Sequence, residues 1–337
     1  MERNGITVAG NIVADLVKSI DVYPKVGMLA RVNSVSRSVG GCVPNVGLDL
    51  AVIDPKLHLS AAGRVGDDDN GRFILSKLKE AGIDTGRIAV SDGIPTSFSD
   101  VMSLPGGERT FFHARGANAV FDPADIDLDG LDCRILHIGY ILLLDRFDAP
   151  DPECGTVMAR FLRDVQARGI ETSVDMVSDS TGSFALKAIP ALKYTDYFIV
   201  NELECCSVWG IEPRLENGDL NAAAIRAAME KTLAGGVAKK VIVHAKEACF
   251  CLSGNGFYTA RASLSLPEER IRGSVGAGDA FSAGALYAIL NGMSDAELLE
   301  FASAAAACSL FSAGAVDGMR SSEEIMELMR TDPRRAL

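Results

Sequence analysis

A chain of 337 residues with 48% hydrophobic content is long enough to bury a large core within one α/β unit. Its formal net charge is −12, and no block of Lys or Arg interrupts the acidic balance, which argues against nucleic acid or an anionic membrane as partner. The opening MERNGITVAG is charged and then strand-like rather than a secretory leader, and the most apolar stretch, Ile135 to Leu144, is too short to span a bilayer. The eight cysteines form no C-x-x-C pair, and several lie in apolar patterns where cysteine acts as a small hydrophobe, which fits a reduced cytoplasm.

Taken in order, Ile6 to Gly10 reads as a buried strand, and Asp15 follows it in GNIVADLV. Val17 to Tyr23 and Ala30 to Val39 are short, mixed in polarity and divided by Pro24 and Gly27, which predicts antiparallel strands with one wet face. Gly40-Gly41-Cys42-Val43-Pro44-Asn45 then forms a glycine turn before a helical run to Ile53, where the backbone can close over an uncharged ligand and Asn45 can meet hydroxyls. Leu57 to Ala62 predicts a strand, and the acids Asp67 to Asp69 read as caps for a helix over Arg72 to Ala81. Thr96 to Leu104 and Arg109 to Ala114 flank Pro105-Gly106-Gly107 as a hairpin, so that the four strands predict a small accessory sheet. Directly after the hairpin come Arg115 and Asn118, candidate substrate contacts that read equally well as surface loop.

The second half alternates apolar strands with helical stretches, the pattern of a parallel sheet covered on both faces. Arg134 to Leu144 is a strand whose His137 reads as a core residue, Cys154 to Arg168 is a helix, and Ile170 to Met176 is a strand ending in Asp175. Ligands gather at the C-terminal ends of such strands, which makes Asp175 a candidate for substrate or metal-water contact. Tyr197 to Val200 leads into Asn201 and Glu204, whose spacing puts an amide and a carboxylate on one face of a first helical turn, a pair suited to Mg²⁺ held through its waters. Asn221 to Ala234 predicts a helix, Lys240 to His244 a strand, and Phe301 to Phe311 and Ser321 to Met329 the last helices.

The most informative stretch is GSVGAGDAFSAG, Gly273 to Gly284, in front of the apolar helical run Ala280 to Leu290. A glycine turn at a helix N-terminus offers unpaired N–H groups and the positive end of the helix dipole to an anion. Asp279 at the mouth of such a site repels an anion that is merely bound. It makes sense where a phosphoryl group moves and a base must take the proton of the attacking hydroxyl. The same fragment also reads as a plain tight turn whose acid favours the dipole. No Walker-A motif exists, and a nicotinamide-binding G-x-G-x-x-G is ruled out because Phe281 holds the third glycine position.

This stretch resembles the C-terminal signature D-T-x-G-A-G-D of the ribokinase-like (PfkB) carbohydrate kinase family. The resemblance extends to Gly40-Gly41 with Asn45, to the G-x-V-G-x-D pattern at Gly63 to Asp68, and to the N-x-x-E of Asn201 and Glu204. It implies a ribokinase-like α/β fold over 1–337 as one domain, with a β-sheet lid formed by about residues 12–39 and 95–117. It implies Asp279 as catalytic base, an anion hole of Gly276, Ala277 and Gly278, and substrate contacts from Asp15, Gly40, Gly41, Asn45, Arg115, Asn118 and Asp175. Nucleotide contacts would come from Asn201, Gly276, Gly278 and Lys246, and a magnesium site from Glu204 and Asn201 through water.

The implied activity is an ATP-dependent sugar kinase of the ribose, fructose or sugar-acid type, acting as a homodimer. A nucleoside kinase and a catalytically weakened sugar- or nucleotide-binding protein stand as alternatives. Two departures support the weakened form: His244-Ala245-Lys246-Glu247-Ala248 replaces the family's T-x-G-x-x-G loop, and Gly273 replaces the first aspartate of the signature. In the family that aspartate helps hold a monovalent cation, so use of K⁺ here is in doubt.

Overall fold

A computed structural model describes residues 3–105, 108–178 and 182–336. Its centre is a nine-stranded sheet in the order Tyr258–Ala262, Ala248–Ser253, Lys240–His244, Tyr197–Asn201, Glu171–Met176, Ile135–Ile141, Ile6–Gly10, Leu59–Gly66 and Asp84–Ser91. Neighbours pair in parallel throughout except at the first-named edge, where Ala248–Ser253 and Tyr258–Ala262 run antiparallel. A parallel sheet must be covered on both faces, and alternate residues of the strands enter two separate cores. Tyr197 and Ile199 pack with the helices Cys42–Ile53, Ala277–Leu290 and Asp295–Ser309, whereas Phe198 and Val200 pack with Val157–Gln166, Phe184–Leu192 and Ala222–Ala234.

A second sheet of four strands has the order Val32–Gly40, Val13–Ile20, Phe98–Ser103 and Arg109–Ala114. This is the accessory sheet expected from the sequence, with its first strand beginning four residues earlier than the polarity pattern suggested. The tip of the predicted hairpin, Gly106 and Gly107, lies outside the described residues. Of the acids Asp67 to Asp69, Asp68 is the cap, its Oδ1 accepting the Gly71 N–H at 2.8 Å, while Asp67 and Asp69 pair with Arg72.

Among the elements not anticipated are the strand Asp84–Ser91, the helix Phe184–Leu192 with Pro190 inside it, and the antiparallel edge after residue 247. At that edge the chain reverses directly after Lys240–His244. Ala245 N–H donates to the Ala248 carbonyl at 2.8 Å, so residues 244–248 are a tight hairpin turn. Glu247 is tied back by Arg214 at 2.9 Å.

Candidate active site

The helix Ala277–Leu290 starts at Gly276, whose φ of 80° is left-handed and whose missing Cβ would lie 2.5 Å from the Ala315 carbonyl oxygen. Only glycine fits both demands. Among the described residues the N–H groups of Gly278 and Asp279 have no hydrogen-bond partner, so the helix start keeps donors available for an anion. Gly276, Ala277, Gly278 and Asp279 line a cleft of about 140 Å³ together with Tyr140, Asp175, Asn201 and Glu204.

Asp279 is held on both oxygens. Asn45 Nδ2 donates to Oδ2 at 2.9 Å, and the Tyr140 hydroxyl donates to Oδ1 at 2.6 Å. Burial pushes the carboxyl above its usual range, and these two donors pull it back. The helix Cys42–Ile53 starts at Gly41 and packs against Ala277–Leu290, which is how Asn45 comes to face a residue 234 positions away. Asn45 Oδ1 is buried and unpartnered, an acceptor available to a ligand hydroxyl.

Asp15 approaches the same carboxylate from the four-stranded sheet. Burial raises it to about 6, against a hydrogen bond from Ser99 and the charge of Arg109, and Asp279 is among the charges acting on it. A Cβ on Gly40 would lie 2.4 Å from Asp15 Oδ2, so glycine there lets the carboxylate lie against the turn. The structure thus brings Asp15, Gly40, Gly41 and Asn45 together beside Asp279, on the side of the small sheet.

Two expected substrate contacts are placed differently. Asn118 is 1% exposed, and its amide accepts from Ile12 N–H and donates to the Ile12 carbonyl, both at 3.1 Å. It fastens a turn, and sequence reading missed this because the partner groups are backbone atoms 106 residues away. Arg115 lies at the surface in an ion pair with Asp145.

Asp175 and Glu204 are both buried in the cleft, and both carboxyls are pushed upward, chiefly by burial; for Asp175 the neighbouring Glu204 and Asp279 add to the effect. The N-x-x-E pair forms a reciprocal capping box: Glu204 N–H donates to Asn201 Oδ1 at 2.8 Å, and Asn201 N–H to Glu204 Oε2 at 3.0 Å. Ser178 Oγ donates to Glu204 Oε1 at 2.9 Å, which fixes the carboxylate further. Two adjacent buried carboxylates form a donor set that a hydrated divalent ion suits, since it would relieve their desolvation and mutual repulsion.

Beyond the glycine turn lies a larger cavity of about 320 Å³ that shares His244, Ser274, Ala277 and Gly278 with the cleft. Its walls are apolar, including Leu264, Phe281 and Leu310, and Lys246 and Arg335 line it as well. Neither cation has an ion-pair partner among the described residues, and Arg335 Nε is buried without a hydrogen bond. His244 packs at 4.7 Å against Phe281 with the rings tilted by 35°, and burial drops it to about 4, so at neutral pH it is an uncharged wall rather than a phosphate contact. His137 is likewise buried, bonded to Ser173 at 2.9 Å. Tyr140 and Arg335 escaped sequence reading, since neither lies in a recognisable motif and only the fold carries them to the site.

Comparison with known proteins gives the family and the fold. The chain is 25% identical over 331 residues to a ribokinase of Arabidopsis thaliana, covering 96% of this chain and 81% of that one. It is 25% identical over 314 residues to a 2-dehydro-3-deoxygluconokinase of Bacillus subtilis, covering 90% of each. The structure of Arabidopsis thaliana ribokinase complexed with ribose and ATP superposes with a TM-score of 0.79 at 21% identity, over 98% of this chain and 99% of that one, which establishes the shared fold. The model of the pfkB family carbohydrate kinases matches residues 7–321, and with a match of that extent the chain belongs to that family.

Proposed function

We propose that this protein is an ATP-dependent kinase that transfers the γ-phosphoryl group to a hydroxyl of a small sugar held between the four-stranded sheet and Asp279. The observation that carries the reading is a buried carboxylate, gripped on both oxygens, set one residue from free helix N-terminal amides. In the reaction, an Asp279 oxygen takes the proton of the acceptor hydroxyl as that oxygen bonds to the γ-phosphorus. The bond from the γ-phosphorus to the bridging oxygen breaks, and ADP leaves with that oxygen. The N–H groups of Gly278 and Asp279 and the helix dipole meet the negative charge on the transferring group.

The cavity of about 320 Å³ takes the nucleoside part of ATP, with Lys246 and Arg335 supplying positive charge in place of the absent glycine loop. Glu204, with Asn201 and Asp175 beside it, would hold Mg²⁺ through its waters, and the ion would neutralise phosphate charge. Asp15 and Asn45 are the sugar's hydroxyl partners, and the small sheet is its lid. Buried, unpaired thiols fit a reducing compartment such as the cytoplasm.

The acceptor is best found by screening neutral sugars, sugar acids, sugar phosphates and nucleosides for ADP release in a coupled assay. Turnover of a sugar or sugar acid supports the reading. Turnover confined to nucleosides would replace it with nucleoside phosphorylation, and tight ADP binding with no acceptor at all would indicate a binding protein.

A further inference from the structure

The Tyr140 phenol lines the cleft and has no task in the transfer as proposed. Its placement is rigid. Asn11, 1% exposed, donates its backbone N–H to the Gly139 carbonyl at 2.9 Å. Asn11 Oδ1 accepts the Tyr140 backbone N–H at 2.7 Å, and Asn11 Nδ2 donates to the Leu143 carbonyl at 3.3 Å. The Asn11 carbonyl in turn accepts the Val43 N–H at 3.1 Å, just before Asn45. One buried asparagine therefore joins the turn that carries Tyr140 to the turn that carries Asn45, and both side chains end on Asp279.

The two donors engage different oxygens of one carboxylate. An ionised carboxylate has about four acceptor positions, so Asn45 and Tyr140 occupy one on each oxygen and leave the others free. Without the phenol the group would be held at one oxygen only and less restrained about its Cβ–Cγ bond.

We propose that Tyr140 is a positioning residue for Asp279: its O–H fixes the carboxylate plane so that a free lone pair faces the acceptor hydroxyl. This rests on the reading of Asp279 as the base. The phenol bond favours the ionised carboxylate, and without it burial acts against only one donor, so the carboxyl titrates at higher pH. The other titratable groups around Asp279 are Asp15, Cys42, Asp49, Asp175, Glu204 across the cleft and, across Gly278, His244. Tyr140→Phe leaves them all in place and removes one oxygen.

The test is Tyr140→Phe in the full-length enzyme, with kcat and kcat/KM measured from acid to alkaline pH on the acceptor found by the screen. The expected result is a loss of roughly ten-fold in kcat at neutral pH, with the acid limb moved up by about one pH unit, the worth of a hydrogen bond to a charged group. The deficit should shrink as pH rises, and KM for ATP should stay within about two-fold, because the phenol does not line the nucleotide cavity. An equal loss at every pH, or none, overturns the proposal.

A second measurement is independent of turnover. Carbon-detected NMR titration of aspartate carboxyls, with Asp279→Asn to assign the signal, should show the Asp279 resonance titrating about one unit higher in Tyr140→Phe. An unmoved titration overturns the proposal even if the enzyme is a kinase. A moved titration in a protein with no acceptor keeps the positioning role and removes the kinase reading.

Discussion

At the residue scale, Asp279 shows how a sequence position becomes a chemical group. A carboxylate at a helix start is common, but one that is buried, held on both oxygens and adjacent to unpaired amides is poised to take a proton. Asp279→Asn keeps the shape and removes the base, so kcat should fall by roughly 10²–10⁴-fold while ADP affinity changes little. Steady-state kinetics with a calorimetric ADP titration checks both, and a variant keeping more than about a tenth of kcat means the base is elsewhere. Gly273 carries a second expectation. A Cβ there would lie 3.0 Å from the Ser312 carbonyl oxygen, so glycine presents only backbone to that loop and no charge to a cation. Activation by K⁺ should therefore be about two-fold or less, measured against a bulky organic cation at equal ionic strength. Saturable activation of about ten-fold or more would mean that carbonyls alone build a cation site.

At the element scale, the helix Glu202–Ser207 is short, and its capping box uses the same two side chains that line the cleft. Folding and function are thus tied in one motif, because the hydrogen bonds that start the helix also aim Glu204. Replacing both residues, Asn201→Ala with Glu204→Ala, should cost about 1 kcal/mol or somewhat more of stability through the lost cap. It should also raise the Mg²⁺ concentration for half-maximal rate. A magnesium titration of initial rate separates the two effects, since a cap alone moves the melting temperature and leaves the metal dependence unchanged. The hairpin at 244–248 makes a related point. Once the chain reverses into an antiparallel edge there is no helix start to supply amides, and charge from Lys246 and Arg335 is what that wall of the cavity offers.

At the scale of the whole molecule, the four-stranded sheet and the loop between its first strands present an apolar surface. Val26 and Leu29 are almost fully exposed, and Val22, Met28, Val35, Phe111 and Phe112 are each more than half exposed. Exposed apolar side chains gathered on one small sheet and its loop mark an interaction site, and a second copy is the simplest cover. We expect a homodimer formed through this sheet. Sedimentation velocity at micromolar concentration should give a dimer, and Phe111→Asp with Phe112→Asp should give a monomer; an active wild-type monomer would refute the arrangement.

The sequence by itself determined the class of fold, the small sheet and the glycine turn ahead of Asp279. Those signals are local: apolar strands alternating with helical runs, glycines at two turns that need them, and an acid at a helix start. It also placed Asn201 and Glu204 on one helical turn, because a spacing of three has a fixed geometry in a helix. What it left out depends on residues distant in the chain. The tie from Asn11 through Tyr140 to Asp279 spans 129 and then 139 positions, and the Asn118 fastening spans 106. The strand Asp84–Ser91 pairs its inner neighbour at the sheet edge with a half-exposed pattern that reads as loop. The edge after His244 is a strand pair only because Lys240–His244 is there to bond it. A hydrogen bond between distant residues leaves no periodicity in either segment, so only the packed sheet and its helices decide which side chains meet at Asp279.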